Sequence, residues 1–393
     1  MDKIDTFLQS EGILPTTDPH RFWRWAEGQL GRQGAKQFQE DINRRSHLDN
    51  EDSIRFYDSI GKPRQALVAS SFEYGLLQQI GRWIEPQLPQ EGTVLELGCG
   101  PGLLTRFYAL ARPNVRFVGI DVSEEAIETA RRNAQGKAYG NVSFLVHDLR
   151  ELEELPSIQA DCIISGRVFS ELMTRVRRRR SSWDELNFPP PTPDLDLFAR
   201  QALLTCAMLA SPGGKFLVTE RLTDFDRLNR LWCLIGAAGF LPDRNSMLPI
   251  SWKDVSGSHQ TWFFSAKALD SVGSSRTSAD VQPLQPSDLP MLTREIEATG
   301  SPTRILLDGT LAWYAWQALK IEEKLEEGLY LWPAGEEIHF ELGLAKDGLG
   351  YSFIASNTDI LMLSIFLQSE FEAVRRDLRE YLQQLGRSGG ILV

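Results

Sequence analysis

The sequence predicts an α/β protein whose main domain contains a mostly parallel sheet, and three observations support this. Between Thr93 and Lys267, short apolar segments of strand length alternate with amphipathic helical segments, a pattern typical of parallel strands covered by helices. A glycine-rich loop joins the first of these strands to the helix that follows it. The chain of 393 residues is also longer than one compact core usually is, which predicts more than one structural unit.

Six strands of the central region can be assigned in chain order. They are Thr93–Leu97, Val115–Ile120, Val142–Val146, Ala160–Ser165, Lys215–Glu220 and Thr261–Lys267. Helices are expected between them at Leu103–Ala111, Ser123–Gln135, Phe198–Ala210 and Asp226–Ala238. Ser123 is the predicted N-cap of its helix, because a serine oxygen accepts from the free N–H groups of a first turn.

The segments on both sides of this region divide the chain further. Residues 1–52 are expected to form short helices, and the main domain is expected to span residues 53–268. This domain begins with a helical stretch that is broken near Gly61-Lys62-Pro63. An insert at residues 174–197 is rich in arginine, and residues 269–290 have the Ser, Asp, Gln and Pro content of a linker.

Residues 291–393 are predicted to form a small C-terminal α+β domain. Helical spacing of apolar residues predicts helices at Leu311–Leu325 and Leu361–Leu385. Alternating segments at Ile338–Leu344 and Gly350–Ala355 flank Lys346-Asp347-Gly348, which indicates a hairpin. Core packing is the simplest role of the last helix, and a homodimer or protein-partner surface on this domain is the alternative.

Composition limits the functions that are expected. The net charge is −11, so the chain lacks a global basic surface and we do not expect nucleic acid as a partner. No apolar run is long enough to span a bilayer, and the first residues lack the features of a secretory signal, so a cytoplasmic location is expected. Cys99, Cys162, Cys206 and Cys233 are interpreted as small buried hydrophobic residues, and the histidines show no metal-ligand spacing, so no metal is expected.

The loop after the first strand carries the main functional signal. It contains Gly98, Gly100 and Gly102, and it leads directly into the helix at Leu103. Glycine allows positive φ angles and a close approach of the backbone to a ligand, since it has no Cβ atom. The free N–H groups at the start of the helix are donors for a polar ligand.

Acidic residues follow the next two strands. Asp121 ends the second strand, where its carboxylate is placed to accept hydrogen bonds from both hydroxyls of a ribose. Asp148 follows the third strand, where it is placed to accept from the exocyclic amine of adenine, while the backbone N–H of Leu149 faces a ring nitrogen. Together with the loop, these residues predict a site for an adenine nucleoside.

The segment from Thr93 to about Ala268 resembles the class I S-adenosylmethionine-dependent methyltransferases, which have a Rossmann-like, seven-stranded, mostly parallel sheet. The resemblance implies S-adenosylmethionine as cofactor and methyl transfer as activity. A loose match also places Tyr57 at the methionine end of the cofactor. The cofactor-binding residues that the resemblance implies are Glu96, Gly98, Gly100, Gly102, Asp121, Val122, Asp148, Leu149, Ser165 and Tyr57.

A nicotinamide-dependent dehydrogenase is the competing interpretation, because it shares the loop and the ribose-binding acid. Its fingerprint is Gly-x-Gly-x-x-Gly, whereas the third glycine here comes one residue early, as Gly102. Glu96 before the loop and Asp148 after the third strand also favour the sulfonium cofactor. The sequence therefore favours a methyltransferase.

The catalytic residues are less well determined, because methyl transfer depends mainly on positioning and needs a base only when the acceptor must lose a proton. Arg167 and Glu171, after the fourth strand, are candidates for contact with the substrate. His147 and Glu220 are further candidates, although a structural role is the simpler interpretation of each. Members of the resembled family that act on amide or exocyclic nitrogens carry an Asn-Pro-Pro-Tyr type of sequence after the fourth strand. This sequence is absent here, which argues against adenine, cytosine or glutamine as acceptor.

Three functional hypotheses remain open. The first is methylation of a small molecule, and the second is methylation of a peptide or protein side chain with the C-terminal domain as docking module. The third is a non-catalytic interaction protein that retains the cofactor fold. The run Arg175–Arg180 is either a solvated loop or a lid or docking patch for an anionic group. In the latter case, replacing these arginines with glutamine is expected to raise the KM of the substrate and leave cofactor affinity unchanged.

Overall fold

The computed structural model describes residues 2–44, 50–135, 139–150, 158–173, 196–222, 225–269, 304–308, 319–332, 337–356, 361–387 and 390–392, with residues 312, 316 and 335 singly. These residues fall into two compact units. The first comprises those within Met1–Met173, Asp194–Arg221 and Cys233–Val281, and the second those within Thr174–Pro193, Leu222–Trp232 and Gln282–Val393. The predicted arginine-rich insert and linker lie almost entirely outside the described residues.

The first unit contains the predicted seven-stranded sheet. Its strands are β1 Gly92–Leu97, β2 Val115–Asp121, β3 Val142–Val146, β4 Ala160–Gly166, β5 Ala210–Glu220, β6 Phe240–Asp254 and β7 Gly257–Ala268. The order across the sheet is β3-β2-β1-β4-β5-β7-β6, and β1 to β5 are parallel. β7 runs antiparallel to both β5 and β6. The predicted fold class is confirmed, although β6 was not assigned from the sequence.

Helices precede the sheet and connect its strands. They are α1 Lys3–Ser10, α2 Pro19–Arg44, α3 Asn50–Gly61, α4 Pro63–Phe72, α5 Tyr74–Ile84, α6 Leu103–Ala111, α7 Glu124–Ala134, α8 Phe169–Leu172, α9 Leu197–Leu209 and α10 Phe225–Ala237. The predicted N-cap is confirmed, because the Ser123 hydroxyl accepts from the backbone N–H of Ala126 at 3.1 Å. The predicted break between α3 and α4 is confirmed at Lys62.

The N-terminal helices share the core of the sheet. Ile4 and Phe7 of α1 belong to the same buried cluster as Val94 of β1 and Phe107 of α6. Arg106 of α6 is 2% exposed and forms an ion pair with Glu11 at 2.6 Å, directly after α1. Helix α1 therefore forms part of the first unit's core.

The second unit contains an antiparallel sheet with one long helix. Its strands are β8 Arg304–Asp308, β9 Ile321–Leu331, β10 Glu337–Ala345, β11 Leu349–Ser356, β12 Leu361–Leu367 and β13 Ile391–Leu392, in the order β13-β9-β10-β11-β12-β8. Helix α11, Phe371–Arg387, packs its buried face against one side of the sheet. The hairpin of β10 and β11 confirms the prediction for that segment.

Two helix predictions in this unit were wrong. Residues 321–325 belong to strand β9, and residues 361–367 form β12 instead of the start of a long helix. The run Leu361-Met362-Leu363-Ser364-Ile365-Phe366-Leu367 is almost entirely apolar, and such a run fits a strand that is buried on both faces as well as it fits a helix. The sheet decides between them, because β12 completes the hydrogen bonds of β11 on one side and β8 on the other.

Three of the four predicted buried cysteines, Cys99, Cys162 and Cys206, are buried, and Cys233 is half-buried. All four are free thiols. Within the described ranges, no helix has the length and the apolar character that a bilayer crossing requires. The same ranges contain no group of three or more His, Cys, Asp or Glu side chains arranged to hold a metal ion.

Candidate functional site

A cavity of about 270 Å³ lies in the first unit where four parallel strands end. The chain reverses its direction of travel across the sheet between β1 and β4, since β2 and β3 lie on one side of β1 while β4 and β5 lie on the other. Such a switch point leaves a crevice at the carboxyl ends of the strands, and open α/β sheets bind ligands there. Helices α3, α4 and α5 supply the opposite wall.

Most of the predicted cofactor residues line this cavity. They are Tyr57, Glu96, Gly98, Gly100, Asp121, Val122, Asp148 and Leu149. The catalytic candidates His147, Arg167 and Glu171 line it as well. The parallel sheet thus brings together residues from the ends of β1, β2, β3 and β4 that are far apart in the sequence.

The glycine loop adopts the backbone conformation that its residues allow. Gly98, Gly100 and Gly102 have φ angles of 63°, 52° and 68°, in the left-handed region. A Cβ atom built on Gly100 would meet nothing within 4 Å, so the space beside this residue is open to a ligand. Its N–H donates to Asp121 Oδ2 at 2.8 Å, which ties the loop to the end of β2.

Gly102 lies in a closely packed part of the loop. It does not appear among the described residues that line the cavity. A Cβ atom at this position would lie 2.5 Å from the ring of Phe144 and 2.9 Å from Cβ of Ala130. Gly102 is needed where α6 begins close to β3 and α7, and its contact with the cofactor stays a prediction.

Asp121 is held in place by the backbone. Its Oδ1 accepts from the N–H of Ser123 at 2.9 Å, and its Oδ2 accepts from Gly100. A carboxylate offers about four acceptor positions, so Asp121 retains capacity for a further donor. Burial raises the pKa of Asp121, against the effect of these two hydrogen bonds.

Glu96, at the end of β1, is buried beside the loop. Its Oε2 accepts from the Thr105 hydroxyl of α6 at 2.5 Å. Burial raises the pKa of Glu96 to about 7, because this single hydroxyl compensates only part of the lost hydration. The carboxyl group is therefore partly protonated near neutral pH.

Ser165 and Glu220 do not line the cavity with the other described residues, and their contacts with cofactor and substrate stay predictions. Both are fully buried, and the Ser165 hydroxyl donates to Glu220 Oε1 at 3.0 Å. Glu220 also accepts from the backbone N–H groups of Phe169 at 3.1 Å and Ser170 at 2.9 Å. Burial raises the pKa of Glu220 to about 7 despite these bonds. The pair fixes the turn between β4 and α8.

That turn presents Arg167 to the cavity. Arg167 has a φ angle of 65° and is the one non-glycine residue with positive φ in the described ranges. Its backbone N–H donates to the Thr219 carbonyl at 2.9 Å, and its guanidinium forms an ion pair with Glu73. Holding a non-glycine residue in this backbone conformation costs on the order of 1–3 kcal/mol, and such strain is concentrated at functional sites.

Glu73 and Arg150 are the site residues that sequence reasoning missed. Glu73 lies where α4 ends and α5 begins, and it lines the cavity. Arg150 also lines the cavity, and its guanidinium binds Asp148. Neither belongs to a motif, so no local sequence signal marked either residue.

Comparisons with known proteins match the part of the chain that contains most of this site. Residues 89–224 match a family described as a methyltransferase domain. This part of the chain is therefore similar to a methyltransferase domain. Its Rossmann-like fold is the one that the strand order shows.

Three relatives of the methyltransferase domain differ in what they act on. The release factor glutamine methyltransferase of Enterococcus faecalis is 46% identical over 74 residues, which cover 19% of this chain and 26% of that protein. The tRNA (guanine-N(7)-)-methyltransferase of Bordetella pertussis is 31% identical over 88 residues, covering 20% and 35%. The malonyl-[acyl-carrier protein] O-methyltransferase of Halalkalibacterium halodurans is 32% identical over 122 residues, covering 30% and 42%.

These matches have two consequences. The chain spans between 26% and 42% of the length of these relatives, so the likeness is confined to the methyltransferase domain. A tRNA methyltransferase is among them, so our expectation that nucleic acid is not a partner is not supported. Net acidic charge describes the whole chain and does not exclude an acceptor bound at one surface.

Proposed function

We propose that this protein binds S-adenosylmethionine in the cavity and transfers its methyl group to a small-molecule acceptor held against helices α3, α4 and α5. The observation that supports this best is the convergence of Gly100, Asp121 and Asp148 on one cavity whose far wall comes from the N-terminal helices. When bound, the cofactor supplies a methyl group activated by a positively charged sulfur.

The cavity residues fit the cofactor. The open space beside Gly100 accepts a ligand close to the backbone, and Asp121 retains acceptor capacity for ribose hydroxyls. Asp148 and Leu149 lie at the end of β3, where the adenine ring is expected, and Tyr57 of α3 lines the cavity with them. We assign cofactor binding to these residues together with Glu96, Gly98 and Val122.

The far wall fits a small acceptor with an apolar body. Ile60, Ala66, Ala69 and Leu77 line this part of the cavity. Ligand cavities typically measure roughly 300–1,000 Å³. The cavity of about 270 Å³ lies just below this range, so there is little room in it beyond the cofactor. Rate acceleration then comes from holding a small acceptor in line with the methyl group, in a site from which water is excluded.

Polar groups on this wall would orient the acceptor. Arg167 is fixed by Glu73, and Glu171 lies one helical turn further along the chain, at the cavity. We assign Arg167 and Glu171 to acceptor binding, with Glu171 as the group that receives a proton if the acceptor must lose one. His147 lies between β3 and the adenine-binding position, and we assign no proton transfer to it.

Calorimetric titration with S-adenosylmethionine and S-adenosylhomocysteine tests the cofactor assignment. Asp121→Asn is expected to weaken binding by about tenfold or more, because it removes a charge-assisted acceptor. Glu125→Gln is the matched control: Glu125 lies in the next helix and is exposed, so its variant is expected to bind as the wild type does. Equal affinity in the wild type and Asp121→Asn would contradict the assignment.

The acceptor class is tested by following formation of S-adenosylhomocysteine with pools of small molecules, bulk tRNA and proteins. We expect turnover with small molecules, and we expect Glu171→Gln to raise the KM for the acceptor at unchanged cofactor affinity. Turnover with tRNA or protein and none with small molecules would refute a small-molecule acceptor while leaving the cofactor site intact.

A further inference from the structure

The loop after β3 holds a carboxylate and a guanidinium in one fixed arrangement. Arg150 Nε lies 2.9 Å from both Oδ1 and Oδ2 of Asp148, and Arg150 Nη2 also donates to Oδ2. The backbone N–H of Arg150 donates to Oδ1 at 2.9 Å. The planar fork of an arginine matches the two oxygens of a carboxylate, so this pairing fixes the orientation of the Asp148 side chain as well as its position.

A second contact holds the arginine itself. The guanidinium carbon of Arg150 lies 5.3 Å from the centre of the Phe198 ring of α9, within the range of a cation–π interaction. The side chains of Arg150 and Asp148 are 24% and 19% exposed, so water reaches only part of the pair. Arg150 is thus held between a helix on one side and the Asp148 carboxylate on the other.

Both residues line the cavity, where the proposed function assigns Asp148 to the adenine ring. Burial raises the pKa of Asp148, but the hydrogen bonds from Arg150 outweigh this and hold the pKa below its ordinary value. The carboxylate is therefore an acceptor and not a donor at neutral pH. Among the described residues, three N–H groups donate to Asp148 and Nε is shared between its two oxygens, so about one of the four acceptor positions of a carboxylate remains for a further donor.

We propose that Arg150 is a positioning residue of the cofactor site, which orients Asp148 to select a 6-aminopurine over a 6-oxopurine ring. The inference rests on the proposed function, since it assumes that an adenosyl cofactor binds in this cavity. An exocyclic amine donates to the oriented carboxylate. A 6-oxo group presents a lone pair to it instead, and an acceptor facing an acceptor is repelled.

The backbone provides a natural control for this role. In Arg150→Ala, the backbone N–H of residue 150 still donates to Asp148, so the loop keeps that hydrogen bond while losing the fork. Arg150→Lys retains a positive charge but replaces the planar fork with a single ammonium group. A series of both variants separates the contribution of charge from that of orientation.

The experiment is calorimetric titration with S-adenosylhomocysteine and with its deaminated analogue, in which inosine replaces adenosine. We expect the wild type to prefer the adenine form. Arg150→Ala is expected to bind S-adenosylhomocysteine about tenfold more weakly. Its affinity for the inosine form should change by less than about twofold, so the preference for adenine is lost. Arg150→Lys is expected to be intermediate.

An Asp148→Ala background completes the test. If Arg150 acts through Asp148, its replacement has no further effect on affinity once Asp148 is absent, so the two changes are not additive. An equal loss for both ligands in Arg150→Ala would show a structural role and overturn the proposal. Unchanged or tighter binding of S-adenosylhomocysteine would overturn it as well.

Failure of the proposed function gives a different result. In that case, the folded wild type binds neither S-adenosylhomocysteine nor the inosine form, and the variants have nothing to change. Wild-type binding with the same affinity for both ligands would preserve the cofactor site and refute the selection of the 6-amino group.

Discussion

Glu96 in the first unit and Glu341 in the second are both buried carboxyl groups, with 7% and 2% of their surface exposed. Among the described residues, Glu96 receives a hydrogen bond from Thr105. Glu341, on β10, is surrounded by donors. Its Oε1 lies 2.6 Å from Lys324 Nζ and 3.0 Å from His339 Nε2, and its Oε2 accepts from Trp316 at 3.1 Å and from Tyr351 at 3.3 Å.

Because the two carboxyl groups differ in their hydrogen-bond donors, their pKa values shift in opposite directions. Burial raises the pKa of Glu96 to about 7, whereas the donors around Glu341 outweigh its burial and lower its pKa to about 2. Glu341 belongs to a satisfied structural network in the centre of a sheet. Glu96 lies beside a cavity and keeps unused acceptor capacity, which is typical of a site that another molecule completes.

The largest expected effect is the loss of the satisfied network. Glu341→Ala removes the carboxylate to which the buried Tyr351 and the half-buried Trp316 donate, so we expect a loss of stability of about 3 kcal/mol. Urea unfolding measures it. The control is Glu372→Ala on α11, whose side chain is 80% exposed and whose ion pair with Arg375 is expected to contribute less than about 1 kcal/mol. Equal effects of the two variants would refute the contrast.

The next effect concerns pH. Because the pKa of Glu96 is raised from 4.5 to about 7, the folded protein retains a proton that the unfolded chain releases within this interval. Stability therefore falls as the pH rises from about 4.5 to about 7.

Glu96→Gln removes this dependence. Relative to the wild type, the variant is expected to gain about 3 kcal/mol between pH 4 and pH 8. Unfolding midpoints at a series of pH values measure it, with Glu124→Gln on the exposed face of α7 as control. A difference between variant and wild type that does not change with pH would contradict the raised pKa.

The pH dependence that Glu341 contributes has the opposite sign. Its contribution to stability is present above pH 4.5 and is lost as the pH falls towards 2.

The smallest effect concerns the hydroxyl group of Thr105, which donates a hydrogen bond to Glu96. Thr105→Val keeps the shape of a buried side chain and removes its donor, so we expect a loss of about 1–2 kcal/mol at neutral pH. Thr105→Ser retains the hydroxyl and serves as the control, with a loss that reflects only the missing methyl group. If valine and serine were equally destabilising, the hydrogen bond to Glu96 would have no measurable role.

Much of the cofactor side of the site could be predicted from the sequence. Gly98 follows β1 directly and Gly100 lies in the same loop, while Asp121 ends β2 and Asp148 lies two residues after β3. Parallel strands carry their carboxyl ends to one edge, so local pattern and topology together bring these residues to one cavity. Ser165 and Glu220 satisfied the same positional rule, yet they bind each other inside the protein. Position at a strand end does not reveal which way a side chain is turned.

The acceptor side could not be predicted in the same way. Glu73 and Arg167 are 94 residues apart, and neither lies in a motif that requires the other. Their ion pair exists because α4 and α5 fold over the end of β4.

Arg150, on the cofactor side, was also missed. An arginine two residues after an aspartate is common, and only the cavity gives the pair of Arg150 and Asp148 a role.

The sequence by itself determined the alternation of strands and helices, the left-handed glycines of the loop and the acidic residues that follow β2 and β3, because each depends on neighbours within a few positions. Tertiary structure decided the rest. It made residues 361–367 a strand, since β8 and β11 supply the hydrogen bonds on both sides. It also decided which buried acids are satisfied, because the donors around Glu341 and their scarcity at Glu96 come from residues that meet only in the folded protein.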